Sequence, residues 1–262
     1  MKTLSIINLK GGVAKTISSV TMAYILAEEK GYRVLLVDND KQGNASKMLD
    51  RHSYEHIGIE YIMTERVPNM AAVVQQTEYS NLHIITANMG LINANLKVQL
   101  DQQRPQQNRI KKALDKVASK YDFCIIDNAP DINISTINAL VASDHVMIPV
   151  TIDDFALDGL SELVEQIENT REDLNPGLKM LGCFVTQYAT GDEADRQGDE
   201  FLRKMEYPVF TTRIRRTEKV KPATFARVPV PCYSDRCAAS VDYRKLVEEY
   251  LERSGYGKEK HV

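Results

Sequence analysis

Six continuous apolar runs of strand length punctuate the chain up to residue 186. They are Thr3–Asn8 (TLSIIN), Arg33–Asp38 (RVLLVD), Leu82–Thr86 (LHIIT), Tyr121–Asp127 (YDFCIID), His145–Val150 (HVMIPV) and Leu181–Thr186 (LGCFVT). Because they are continuous rather than alternating, they predict strands covered on both faces. Helical patterns lie between and after them, over Thr16–Glu29, Asn108–Ser119, Thr136–Ala142, Leu157–Glu172 and Ser240–Arg253. In the second, Ile110, Leu114 and Val117 recur at helical spacing; in the last, Tyr243, Leu246, Val247, Tyr250 and Leu251 share one face. The alternation predicts an α/β fold, a doubly wound, mainly parallel sheet flanked by helices. Such sheets bind ligands at the carboxyl ends of their strands. Residues 191–198 (GDEADRQG) read as a polar loop or the start of a helix, and Lys258–Val262 as a frayed tail.

The 262 residues suffice for one large domain over 1–262, and 43% apolar with 26% charged residues is a globular balance. No run reaches the ~20 apolar residues that span a bilayer. The N-terminal apolar stretch is broken at Lys10 with no cleavage pattern after it, unlike a signal peptide. The first strand is expected to start at residue 3, so no helix-turn-helix domain is expected before it. Cys124 and Cys183 sit inside apolar runs and read as small buried hydrophobes. Cys232 and Cys237 complete no zinc set, so the expected setting is a reducing cytoplasm.

The formal net charge of −3 argues against a wholly basic nucleic-acid coat. That average conceals a segment, 203–227, with eight basic residues against two acidic ones: +6 there and −9 elsewhere. A local basic face is the footprint of sequence-independent phosphate binding, while its bland alternative is a solvated surface with a few ion pairs.

Three motifs carry chemistry. Asn8-Leu9-Lys10-Gly11-Gly12-Val13-Ala14-Lys15-Thr16 follows a strand and opens a helix, the setting a phosphate-binding loop requires. Small residues let backbone N–H groups turn toward phosphate oxygens at the helix N-terminus. Lys15 is placed to reach the β- and γ-phosphates, and the Thr16 hydroxyl to ligate Mg²⁺. The ordinary pattern is not met, since Leu9 and Ala14 stand where its two glycines belong. At the second strand's end, Asp38-Asn39-Asp40-Lys41-Gln42-Gly43-Asn44 sets two acids two apart, one to orient water or Mg²⁺ and one to support the loop. Ile125-Ile126-Asp127-Asn128-Ala129-Pro130 is a Walker B element, whose Asp127 acts on Mg²⁺.

Together these motifs resemble the ParA/MinD family of deviant Walker A ATPases (the SIMIBI class of P-loop NTPases), over nearly the whole chain. The Soj-like ParA branch fits best: its Asp-x-Asp-Pro-Gln-Gly-Asn motif matches Asp38–Asn44 with Lys41 in place of the proline. A later family motif resembles Ile148-Pro-Val through Ala156-Leu-Asp-Gly-Leu160, and Arg213–Lys221 with Pro229-Val-Pro resembles the stretch before the last helix. The resemblance implies an ATP/ADP- and Mg²⁺-dependent ATPase, with Lys10 crossing a dimer interface to the partner's nucleotide. Lys10, Lys15 and Asp40 would be catalytic; Lys10, Gly11, Gly12, Val13, Ala14, Lys15, Thr16 and Ile17 would hold nucleotide, with Gln187 and the Pro222–Phe225 region near adenine. Thr16, Asp40 and Asp127 would serve the metal.

It further implies an ATP-bound homodimer on non-specific DNA through Arg213, Arg215, Arg216 and Lys219 (with Arg236 and Lys245 as weaker candidates), within a basic C-terminal part of about 203–254. A ParB-like centromere-binding protein would stimulate hydrolysis, in a cytoplasmic, nucleoid-associated setting of plasmid or chromosome partition. The alternative is a MinD-like ATPase positioning membrane or protein cargo. The last helix disfavours it, because Glu248, Glu249 and Glu252 give a mixed polar face rather than a basic anchor. A metal-cluster carrier on the same fold would want interfacial cysteines at Cys-x-x-Cys spacing, which is absent. The departures predict slow, partner-stimulated hydrolysis. Ala14 replaces Gly and is tolerable if its φ is negative, Ile17 replaces a second Thr, and Asn128-Ala129 replaces a Thr/Cys-Pro pair.

Overall fold

The central strands of the sheet are β1 (Lys2–Ile6), β2 (Val34–Asn39) and β5 (Phe123–Asn128), each buried on both faces. The computed structural model describes residues 1–152 and 158–256. Among these, β3 (Val74–Gln76), β4 (Leu82–Ile85), β6 (His145–Val150) and β7 (Lys179–Val185) complete one sheet in the order β3-β4-β2-β5-β1-β6-β7. Every pairing is parallel except β3 with β4. The doubly wound α/β architecture expected from the apolar runs is therefore present. β3 is an addition, because Val-Gln-Gln is too short and polar to announce a strand.

Alternate residues of one strand feed opposite cores. Val34 and Leu36 pack with Leu4, Ile6, Phe123 and Ile125 against the helices Lys15–Tyr24 and Ala238–Arg253. Leu35 and Val37 pack with Cys124 and Ile126 against Ile59–Thr64, Gly90–Leu100, Arg109–Asp115 and Ile134–Ala142. A third cluster joins β6 and β7 to Asp158–Asp173 through Leu160, Leu163 and Ile167.

The expected Thr16–Glu29 helix is α-helical over Lys15–Tyr24 and widens to a π-helical turn over Ile25–Glu29. Asn133 caps Ile134–Ala142, its Oδ1 accepting from the amides of Ser135 (2.8 Å) and Thr136 (3.1 Å). The polar 191–198 stretch resolves into a helix start, Asp192 capping Glu193–Lys204. Ala156 and Leu157 of the later family motif, and Lys258–Val262, lie outside the described residues. Cys124 and Cys183 are buried and all four cysteines are free. Among the described residues no helix is long and apolar enough to cross a membrane.

Candidate nucleotide site

β1 lies between β5 and β6, and the chain leaves its carboxyl end through the loop 7–14 into the helix Lys15–Tyr24. Parallel registry puts three strand ends level: Ile6 beside Asp127, and Asp127 beside Asp38. The loop, the two strand-end acids and the helix N-terminus thus meet by topology.

The loop is held from several sides. Asn8 Nδ2 donates to the Pro149 carbonyl (2.7 Å), and Asn8 Oδ1 accepts from the Lys10 amide (2.9 Å). Thr186 Oγ1 donates to the Val13 carbonyl (3.1 Å), and Gln187 Nε2 to that of Gly12 (2.6 Å). Gly12 has φ +77°, and a Cβ added there would meet no atom within 4 Å, so the backbone is open to a close-approaching ligand. Ala14 has φ +65° and ψ +27°. The condition attached to Ala14 in the sequence is not met: it sits in the left-handed region, at a cost of roughly 1–2 kcal/mol for an L-residue.

Lys15 is buried and its Nζ donates to the Lys10 carbonyl (2.8 Å). Burial lowers its pKa, and the nearby carboxylates of Asp127, Asp40 and Asp131 work against that shift. Asp127 is buried; Ser19 Oγ donates to its Oδ1 (3.0 Å), while Oδ2 has no hydrogen-bond partner. Burial raises this carboxyl to about 6, against the opposing pull of the Thr16 and Ser19 hydroxyls and Lys15. An orphaned buried carboxylate oxygen beside a threonine hydroxyl suits a hard cation.

The two acids at and just past the end of β2 sit in different surroundings. Asp38 is fully buried and accepts from Ser46 Oγ (2.6 Å), the Ser46 amide (2.8 Å) and the Asp40 amide (3.2 Å), so it holds the turn together. Burial, and next the Asp127 charge, push it to about 7. Asp40 lines the cleft, its Oδ1 accepting from the Gln42 amide (2.9 Å). Gly43 has φ +62°, and a Cβ there would stand 2.6 Å from the Ala87 carbonyl oxygen.

Above the loop opens a cleft of about 1340 Å³. Gly11, Gly12, Ala14, Lys15, Thr16, Ile17 and Asp40 form its floor, with Gln187 on one wall. The far wall includes Val220, Lys221 and Thr224 of the helix Val220–Ala226, so part of the expected adenine region does face the cleft. Lys10, Val13 and Asp127 do not line it; Val13 and Asp127 are buried, and Lys10 flanks the loop half-buried. The described residues hold no cluster of three or more His, Cys, Asp or Glu suited to a metal ion.

The basic segment is less free than its charge count suggests. Arg213 and Arg203 share the buried Asp199, and Arg213 also lies over the Tyr188 ring, 5.5 Å from its centroid. Arg215 grips Asp242 with two guanidinium nitrogens at 2.8 Å. Arg227 pairs with Asp50. Arg216 and Lys219 are exposed and have no ion pair among the described residues. Arg236 and Lys245 are exposed too, and Arg215 and Arg216 both line the cleft.

Several residues of the site carry no motif signal. Ser19, Ser46 and Thr186 look like ordinary helix and strand polar positions, and only the folded contacts show what they hold. Tyr243, read as a core residue, also donates or accepts at Ser18 Oγ (2.8 Å) and lines the cleft.

A family profile described as "AAA domain" matches residues 1–180. The chain is 33% identical over 258 residues to the chromosome-partitioning ATPase Soj of Treponema pallidum, covering 97% of this chain and 98% of that protein. It is 33% identical over 257 residues to the chromosome partitioning protein ParA of Caulobacter vibrioides, covering 97% and 95%. Among solved structures, cobyrinic acid a,c-diamide synthase of Mycobacterium smegmatis, with bound ATP analogue and magnesium, matches at TM-score 0.84 and 26% identity, covering 98% of this chain and 97% of that one.

Proposed function

Because the chain belongs to the ParA/Soj family of partition ATPases, a P-loop family that binds ATP, we propose that its cleft takes Mg–ATP and turns it over slowly during DNA partition. The observation that carries this reading is the convergence of Lys15, Thr16, Asp40 and Asp127 at one end of the sheet, under a loop whose glycine face is open.

In this reading the loop amides from Gly11 to Ile17 cradle the phosphates, and Lys15 exchanges its Lys10 carbonyl contact for a phosphate oxygen. The Thr16 hydroxyl and Asp127 would hold Mg²⁺, which would supply neutralisation of phosphate charge. Asp40 orients the attacking water from the cleft floor, while Asp38 keeps the turn fixed beneath it. Gln187 and the Val220–Ala226 helix border the base. Lys10 reaches the nucleotide of a second copy in an ATP-bound homodimer. That dimer contacts DNA without sequence preference, Arg216 and Lys219 being the most available of the four candidate cations. A ParB-like partner stimulates hydrolysis and releases the dimer from the nucleoid. The MinD-like alternative gains nothing from the last helix, whose apolar residues Tyr243, Leu246, Val247 and Tyr250 are spent on the core.

Two variants test the site. Asp40→Ala is expected to keep ATP affinity within about threefold and lose at least ~100-fold in hydrolysis, the scale of removing a group that orients a proton transfer. Lys15→Ala is expected to lose ATP binding itself. Wild-type hydrolysis by Asp40→Ala would overturn the assignment of Asp40, and wild-type ATP affinity in Lys15→Ala that of the loop.

A further inference from the structure

Two asparagines at adjacent strand ends form a buried junction that no motif of the nucleotide site requires. Asn39 ends β2, Asn128 ends β5, and the two are register partners. Both are buried, at 0% and 1% exposure. Asn128 Nδ2 faces two carbonyls, donating to Ile6 (3.2 Å) and Ile126 (3.3 Å). Only an amide nitrogen can serve there, so Asn128 must present its oxygen to Asn39. Asn39 Nδ2 donates to that oxygen (2.9 Å) and to the Ser135 carbonyl (3.1 Å) in the first turn of Ile134–Ala142. One continuous amide chain therefore runs from the root of the phosphate loop, through β5 and β2, to the helix after Walker B.

The pair is not explained as a device for stability. Asn39 Oδ1 is buried without a partner, which apolar side chains at both positions would avoid. What the polar pair supplies is one arrangement of three segments that hydrophobic contact alone would leave free to slide. A second link runs outside it: Lys41 Nζ meets Asp131 Oδ2 at 3.4 Å, joining the turn after β2 to the turn after β5. That pair is about 40% exposed on both sides and contributes little by itself. Lys41 and Asn128 are two of the positions where this sequence leaves the family pattern; Lys41 joins the two turns, and Asn128 joins the strand ends that lead into them.

We propose that Asn39 and Asn128 are positioning residues that make the turn 40–44 and the segment 129–135 move as one body. An event at Asp40 is then carried to the surface of Ile134–Ala142. The use of that coupling in ATP turnover rests on the function proposed above; the coupling itself does not.

Amide hydrogen exchange without nucleotide tests it, so a failure of ATP binding cannot be confused with a failure of the coupling. Two reporter amides are hydrogen-bonded in the structure: Gly43 to the Asp40 carbonyl (2.8 Å) and Ile137 to that of Asn133 (3.0 Å). The Asn128 side chain bonds to neither reporter segment. In Asn128→Thr both amides are expected to exchange faster by a similar factor, at least about fivefold, while β6 amides keep wild-type rates. Asn39→Leu combined with Asn128→Thr is expected to be no faster than the faster single variant. Unequal responses of the two reporters, or effects that multiply in the double variant, would overturn the coupling. So would a uniform acceleration extending through β6, which would mark the pair as an ordinary core contact.

Discussion

Ala14 concentrates the residue-scale argument. Its methyl group stands at φ +65° in the tightest part of the loop, where the sequence pattern of the family calls for glycine. Ala14→Gly is expected to raise stability by about 1 kcal/mol, a melting shift of roughly 2–4 °C for a chain of this size. A calorimetric scan showing equal or lower stability would mean that the surrounding contacts, such as the Thr186 hydroxyl on Val13, have made the strain cheap. Charge burial gives a second expectation. Asp38 titrates near 7 and Asp127 near 6 because burial penalises their carboxylates, whereas in the unfolded chain both titrate near 4. Between about pH 4 and 7 the folded chain thus holds protons that the unfolded chain has released. Stability of the nucleotide-free protein falls as pH rises through that window. Melting temperatures from pH 5 to 8 should decline accordingly, and Asp38→Asn should remove the larger part of the slope. An unchanged slope in that variant would place the titration elsewhere.

At the scale of elements, legibility followed burial. The six apolar runs appear as strands within a residue or two of their expected ends, because a strand covered on both faces is apolar along most of its length and so stands out as a continuous run. Helices that pack one short face were harder to see. Ile59–Thr64 buries Ile59, Ile62 and Met63 in barely two turns, and Gly90–Leu100 buries Leu91, Ala94 and Val98 while Ile92, Leu96 and Leu100 stay exposed. That mixed pattern has no clean period. The site divides likewise. The residues proposed to act on nucleotide and metal stand in contiguous motifs, Lys15-Thr16, Asp40 and Asp127, which the sequence displays directly. The supports are not displayed there, because Ser19 meets Asp127 and Thr186 meets Val13 only across the fold. The basic segment divides in a related way. Arg213 and Arg215 match Arg216 in sequence, yet in the fold Asp199 and Asp242 pair with them while Arg216 has no ion pair among the described residues. This shifts the expected DNA contact from the whole basic run toward Arg216 and Lys219.

For the whole molecule, a net charge of −3 resolves into an acidic ATP-binding body and one basic margin beside the cleft mouth, where Arg216 lies within reach of both. If the proposed function holds, the nucleotide site and the DNA contact are neighbours, and a second copy assembled through Lys10 would double the cationic margin and strengthen its hold on phosphates. The most direct test is binding of a mixed-sequence DNA duplex at low salt, followed by fluorescence anisotropy, with no nucleotide, ADP or Mg–ATP. Asp40→Ala serves as the background, so that ATP persists. Binding is expected with Mg–ATP alone, at a protein mass of two chains, and is expected to fall at least ~10-fold in Arg216→Glu, Lys219→Glu at saturating ATP, with ATP affinity measured in the same variant because Arg216 lines the cleft. DNA binding that ignores the nucleotide, or survives the charge reversal unchanged, would contradict the account.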